Sequence, residues 1–455
     1  MPDRVIDLLS AYALETPDQL DDDVRHEVTR LVLDDVGIAL GSLQEPAVRA
    51  TRRYVYDNYP TGPSLVWGTG VRSLPQAAAL ANGTAVRTID YNDGYVGKDA
   101  GHPSDVIPGL VAFGERCGSS GNDVAVAVAL VYDVIFAMFE AMYTRQYGWD
   151  HIGIQAVSAC CGFGRLMGLD RVQMGNALGI TAVAHNALLQ TRSDDELTMW
   201  KSVASSYSLG NAMEACLLAR AGVEGPSRPF DGHNGYIEVL ARGDFDWSAL
   251  DRLRDRPRRI LDTNIKMWPL GQLAQGSVDV AVALHGRIER FDDIASITIH
   301  TSEVAAEIMD GPAKWNPTTR ETADHSLVYS TVAGLYDGTV DHHTFREDRL
   351  ESSGFKQILR DKVKLIVRDD YTASFPECQP ARVEVTMTDG TTLVEECTHP
   401  RGHARNRATD EDLAAKFDRL VVPVLGAEES ARIREAVGDF PDAPRITDLT
   451  DRLVS

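Results

Sequence analysis

Between about residues 24 and 223 the chain passes through one alanine-rich segment after another, with apolar residues at helical spacing and glycine or proline between them. A stretch of this kind folds as packed helices, because alanine and the straight-chain residues favour the helix and small side chains let neighbours approach closely. The run that begins Asp123-Val124-Ala125-Val126-Ala127-Val128 alternates like a strand at first, yet it continues to about Tyr143, too long for one strand. Residues 124–142 approach membrane-spanning length, but Asp133 and Glu140 interrupt them, which predicts a buried core helix. Lys201 opens a further helix that stops at Gly222, with Pro226 just beyond.

The pattern changes after about Trp268. Ser296-Ile297-Thr298-Ile299-His300, Val363-Lys364-Leu365-Ile366-Val367 and Val383-Glu384-Val385-Thr386-Met387 alternate as strands do, and Asp389-Gly390 before Thr392-Leu393-Val394 signals a hairpin. Thr409-Asp410-Glu411-Asp412 has the form of a capping box before a helical tail. The expected fold is therefore mainly α: a large helical domain over residues 1–267, rejoined by 403–455, and a smaller α+β domain over 268–402.

With 44% hydrophobic residues among 455, the chain can bury a large core. A formal charge of -22 repels nucleic acid and anionic lipid, and no Lys/Arg run overcomes it, so neither partner is expected. The already charged start, Met1-Pro2-Asp3-Arg4, argues against a secretory leader and for a cytoplasmic protein. Six cysteines without a C-x-x-C or a histidine ladder read as reduced structural thiols rather than a zinc or iron-sulfur site. Gly162-Phe163-Gly164-Arg165-Leu166-Met167-Gly168 has one residue too many for a dinucleotide fingerprint and follows no strand. Asp21-Asp22-Asp23 and Asp194-Asp195-Glu196 read as solvated helix starts before they read as metal ligands, and His342-His343 as surface residues.

Against this background lysine is rare: Lys98, Lys201 and Lys266 are the only ones in the first 313 residues. The first lies in a segment running from Asp90-Tyr91-Asn92-Asp93 to Gly101-His102-Pro103-Ser104-Asp105, dense in carboxylates, imidazole and glycine turns. Removing water from a hydroxy polycarboxylate needs a base for the proton beside a carboxylate, help for the departing hydroxide, and cations for the developing charge. Asp90, Asp93, His102 and His151 have the right chemistry for proton transfer, and the three lysines for carboxylate binding. The competing reading is structural, with the aspartates ordering a turn, His102-Pro103-Ser104-Asp105 capping a helix and Lys201 lying on a helix surface.

The same residues resemble the most characteristic segment of the MmgE/PrpD family. Gly148-Trp149-Asp150-His151, Met199-Trp200-Lys201, Lys266-Met267-Trp268-Pro269, Arg320 to Leu327, and Arg401-Gly402-His403 before Lys416-Phe417 match further family blocks in order, from about residue 80 to 420. The resemblance implies a homodimer with its site between a helical domain and an α+β lid, acting on small anionic polycarboxylates with no metal or organic cofactor. It places catalytic residues at Asp90, His102, His151, Lys201 and Lys266, with Asp93, Lys98 and Ser104 as substrate-binding candidates and His325 and Arg320 organising the lid. The implied activity is that of a hydro-lyase of the 2-methylcitrate dehydratase type. An iminodisuccinate epimerase-like isomerase, a cis-aconitate decarboxylase and a non-enzymatic carboxylate binder remain alternatives. Two positions depart from the family pattern: Gly94, where threonine or serine is usual, and Leu270-Gly271-Gln272-Leu273, where a histidine usually follows the lysine-proline block.

Overall fold

The long apolar run forms the Gly121–Ala141 helix, begun by a reciprocal capping box between Ser120 and Asp123. Of its most apolar window 94% is buried inside the protein, so its hydrophobicity serves a core. The computed structural model describes residues 3–193, 196–255 and 258–454. Helices Ile152–Met167, Trp200–Arg220, Pro75–Arg87 and Asp22–Gly41 pack in succession around that core. Small residues set their spacing: a Cβ on Gly162 would stand 2.7 Å from both Leu110 and Val131 side chains, and one on Gly83 only 2.3 Å from Ser206 Oγ. The glycines of residues 162–168 are therefore packing and capping positions of one helix.

The C-terminal helix Asp410–Leu425, begun by the Thr409–Asp412 capping box, returns to this bundle and lays Phe417 and Leu420 on Gly37 and Gly41 of the Asp22–Gly41 helix. One hydrophobic core thus draws on residues 5–267 and again on 408–453, while a second draws on 270–385. The second core is built on a four-stranded sheet in the order Val363–Val367, Ile294–Thr301, Ala381–Met387, Thr392–Cys397. The first pair is parallel and the others antiparallel. Ile297, Ile299, Val383 and Val385 point inward against helices Gln275–His285 and Leu327–Asp337, following the period-2 alternation. The molecule is mainly α with a smaller α+β part.

The acidic runs have structural partners where they are described. Arg258 Nη1 lies 3.2 Å from Asp21 and 3.0 Å from Asp23. Asp194 and Asp195 lie outside the described residues, and Glu196 accepts hydrogen bonds from Thr318, Thr319 and Thr322. Cys160 and Cys216 are buried free thiols with sulfurs 3.7 Å apart.

Candidate active site

The Pro75–Arg87 helix ends at Thr88, and the chain reverses through Asp90 with φ 51°, a left-handed conformation that costs a non-glycine residue about 1–3 kcal/mol unless its surroundings hold it. Here they do. The buried Asp90 carboxylate accepts hydrogen bonds from Arg87 Nη1 at 2.7 Å, Lys201 Nζ at 3.0 Å and Lys266 Nζ, which also donates to the Asp90 carbonyl at 3.0 Å. His325 Nε2 lies 3.2 Å from the same carboxylate. Burial alone would raise the Asp90 pKa, but Arg87, Lys201, Lys266 and His325 hold it well below the usual carboxylate range. Asp90 is thus a permanent anion that gathers cations, not a proton carrier at neutral pH.

Each cation arrives on its own element. Arg87 is the last residue of its helix, and Lys201 sits in the first turn of Trp200–Arg220, brought close by the Gly83–Ser206 contact. Lys201 also donates to Asp324 at 3.1 Å and lies 3.0 Å from His325 Nδ1, so residues of the second core reach across to the first. Lys266 lies on the chain segment between the two cores, where burial lowers its pKa to about 8 despite Asp90. From beneath, Lys416 donates to the carbonyls of Tyr91 at 2.9 Å and Lys266 at 2.8 Å and pairs with Asp34 at 2.6 Å.

The two histidines of the motif blocks face the same space, with ring centroids 6.0 Å apart. His102 Nδ1 is 2.7 Å from the Asp93 carbonyl and Nε2 is 2.9 Å from Arg87 Nη2. A carbonyl only accepts and a guanidinium only donates, so this ring is the neutral tautomer with its proton on Nδ1. Burial and the Arg87 charge push its pKa well down, in agreement with that assignment. His151 differs. Its Nδ1 lies 2.9 Å from Asp150 Oδ1 in an ion-pair contact, and both ring nitrogens are buried without a well-formed hydrogen bond among the described residues. Burial would raise the Asp150 pKa, but Arg192 and His151 keep it below the ordinary carboxylate range. Gly101 makes room for this ring, since a Cβ there would meet His151 Cδ2 at 2.7 Å and Phe139 Cζ at 2.6 Å.

A cavity of about 330 Å³ opens over these groups, between the two cores. Among the described residues Arg87, Lys98, Arg145, Arg192, Lys201 and Lys314 line it against one carboxylate, Asp99. Asp99 is already engaged by the Thr144 amide and hydroxyl. A chain of charge -22 thus concentrates positive charge in one place. Arg192 Nη2 is buried there without a hydrogen-bond partner among the described residues, so a donor remains for a ligand.

Of the sequence candidates, His102, His151, Lys98 and Lys201 line the cavity, while Asp90 and Lys266 form the buried layer behind them. Lys98 stands on a short hairpin, Tyr95–Val96 with Ala100–Gly101, and pairs with Asp244 at 2.9 Å. Asp93 and Ser104 are buried outside the cavity wall: Asp93 accepts from the Ser104 amide at 2.9 Å and from Tyr132 at 2.8 Å, and burial raises its carboxyl to about 7. They brace the loop that aims His102. Arg320 donates to the His342 carbonyl at 3.1 Å, away from the cavity. Arg87, Arg145, Arg192 and Lys314 carried no sequence signal beyond their charge.

Asp90, Asp324 and His325 bring potential metal-ligand atoms within 4.8 Å of one another. The set does not fit a divalent ion, because the Asp90 and Asp324 oxygens already face the Lys201 and Lys266 ammoniums and the Arg87 guanidinium.

Comparison with known proteins identifies the family. The family model described as the MmgE/PrpD N-terminal domain matches residues 8–248, and that of the MmgE/PrpD C-terminal domain matches 268–441. A 2-methylcitrate dehydratase of Cupriavidus necator is 27% identical over 406 residues, covering 83% of this chain and 81% of the relative. A mitochondrial 2-methylcitrate dehydratase of Yarrowia lipolytica is 26% identical over 434 residues, 89% of this chain and 81% of the relative. A cis-aconitate decarboxylase-like protein of Aspergillus oryzae is 22% identical over 462 residues, 95% of this chain and 93% of the relative. With both family domains matched in order along nearly the whole chain, the protein belongs to the MmgE/PrpD family.

Proposed function

We propose that the protein is a hydro-lyase of the 2-methylcitrate dehydratase type, eliminating water from a hydroxy tricarboxylate by removing a proton beside a carboxylate. The observation that carries this reading is the free, buried Nε2 of His151 facing a cavity lined by six cations. His151 Nε2 takes the proton, and Asp150, fixed by Arg192 at 2.8 Å, stabilises the imidazolium that results. Arg87 and Lys201 stabilise the charge that develops on the adjacent carboxylate; both are held in place by Asp90, so little reorganisation accompanies the step. His151 then hands its proton to the departing hydroxide, which leaves as water.

One feature favours elimination over epimerisation. Inverting a carbon needs a proton delivered to the opposite face, and the facing imidazole, His102, has its Nε2 occupied by Arg87. The similarity to 2-methylcitrate dehydratases supports the substrate class.

The test is to offer the purified protein 2-methylcitrate, citrate and cis-aconitate in deuterium oxide, following ultraviolet absorbance of the conjugated product and label at carbon. A rise in absorbance with 2-methylcitrate that disappears in His151→Gln is expected. Label exchange without an alkene assigns an epimerase, loss of absorbance from cis-aconitate with carbon dioxide release assigns a decarboxylase, and an unimpaired His151→Gln enzyme rejects the base assignment.

A further inference from the structure

Arg192 ends the short Leu189–Arg192 turn, and backbone hydrogen bonds clip the segment before it to the loop that carries His151. The Asp150 amide donates to the Ala187 carbonyl at 2.9 Å and the Leu189 amide to the Gly148 carbonyl at 2.9 Å, with Trp149 paired to Leu188 between them. Arg192 and His151 therefore stand on one body. Asp150 ties their side chains together as well: its Oδ2 accepts from Arg192 Nε at 2.8 Å, and its Oδ1 lies 2.9 Å from His151 Nδ1. That bond uses one edge of the guanidinium. The two terminal nitrogens make no hydrogen bond among the described residues, and the 9% of the side chain that stays exposed belongs to the cavity wall.

A guanidinium carries five N–H donors in a fixed plane, and one carboxylate cannot serve both of its edges. Negative charge is short here as well. Asp150 is the one carboxylate that pairs with Arg192 among the described residues, and it is shared with His151, while Arg87 and Arg145 line the same cavity. Burial first, and then the charges of Arg87 and Arg145, press the Arg192 pKa below the ordinary guanidinium value in spite of Asp150. The group that would complete this environment is an anion in the cavity. We propose that Arg192 is a two-sided arm: Nε holds Asp150, and the terminal nitrogens take a carboxylate of the substrate other than the one beside the reacting carbon. This rests on the polycarboxylate reading of the cavity and gives it a second anchor. Arg87 and Lys201 take the reacting end, and Arg192 fixes the far carboxylate to the same side chain that orders Asp150 and His151. A planar fork can meet two carboxylates at once, which an ammonium point charge does poorly.

The experiment is calorimetric titration of the full chain with propane-1,2,3-tricarboxylate, which has the carboxylates and no hydroxyl to eliminate. Three proteins are compared: the wild type, Asp150→Asn, and Asp150→Asn with Arg192→Gln. The double substitution removes the ion pair as a whole and leaves neither charge buried alone, so that variant should keep its fold. Asp150→Asn should bind as tightly as the wild type or more so, because it frees Arg192 from its internal anion. The double variant should bind about 10–100-fold more weakly than Asp150→Asn, the worth of a charged hydrogen bond. Crystals of the wild-type complex should show a carboxylate oxygen within about 3.2 Å of a terminal nitrogen of Arg192. Equal affinities of the single and double variants, a loss already complete in Asp150→Asn, or a complex with every carboxylate away from Arg192 overturns the arm and leaves the proposed function standing. Failure of the wild type to bind the tricarboxylate at all rejects the proposed function, and the arm with it.

Discussion

Replacing Asp90 by asparagine keeps the side-chain volume and a residue that tolerates the left-handed turn, and removes only the charge. Arg87, Lys201 and Lys266 have side chains 1%, 2% and 0% exposed, so none can turn to solvent when the carboxylate goes. Their losses are unequal. Lys201 keeps Asp324 at 3.1 Å and Arg87 keeps a distant Asp105 at 3.9 Å, whereas Lys266 loses the one carboxylate it pairs with among the described residues. Even with Asp90 present, burial brings Lys266 from 10.5 to about 8, a cost of about 3 kcal/mol for keeping it charged. Removing one partner from a buried pair costs about 3–5 kcal/mol, and Asp90→Asn should lose that much stability at pH 7. The pH dependence has a fixed sign. The folded pKa of Lys266 lies below the free value, so the unfolded chain binds the extra proton between them, and this group's contribution to stability rises with pH across that window. Without Asp90 the folded value falls further and the window widens downward, so the deficit of the variant should shrink from pH 7 to pH 9. Urea unfolding of both proteins at the two pH values measures this. A deficit under about 1 kcal/mol at pH 7, or one that grows toward pH 9, would refute the hub role of Asp90.

His151→Gln should lower kcat by about 10²–10⁴-fold with little change in KM, and Asp150→Asn should lower it by a smaller factor, as steady-state kinetics on an identified substrate will read. Asp93 holds its proton to about 7, above the free value of 3.8, so the stability it contributes at low pH is lost as pH rises through 7. Relative to wild type, Asp93→Asn should therefore gain stability from pH 4 to pH 8, by at most about 4 kcal/mol, in melting curves across that range. Gly94→Ala should destabilise by no more than about 1 kcal/mol, because the Gln272 Oε1 it meets ends a flexible side chain that can turn aside, and Gln272→Ala in the same chain should remove that loss; a larger loss that survives Gln272→Ala in this double-mutant cycle would show that other contacts set it.

Local physics made much of the fold legible. Length and alanine content identified the Gly121–Ala141 helix despite its strand-like opening, period-2 alternation located the four sheet strands, and a three-residue offset located the Thr409 cap. Rarity made Lys201 and Lys266 stand out. The same reasoning missed Arg87, because arginine is this chain's ordinary cation and the residue sits at the end of an alanine-rich helix like any other polar position. What distinguishes it is a tertiary fact: Asp90 folds back three residues later and His102 lies 2.9 Å away. Sheet order was equally out of reach, since the parallel pairing of Ile297 with Val363 depends on how the intervening helices pack. The roles of Asp90 and His102 needed hydrogen-bond partners to resolve, because residue type alone does not separate a titrating carboxylate from a permanent one.

The Lys416 ammonium that joins the Tyr91 and Lys266 carbonyls is separated from them by 325 and 150 residues of chain. At ordinary translation speed, the later of those loops has left the ribosome on the order of ten seconds before its tie exists. The pocket therefore cannot reach its working shape until residue 416 has emerged, and any product that ends before the Asp410–Leu425 helix carries both loops without the group that joins them. A chain cut before the Asp410–Leu425 helix should therefore be as disabled as one cut much earlier.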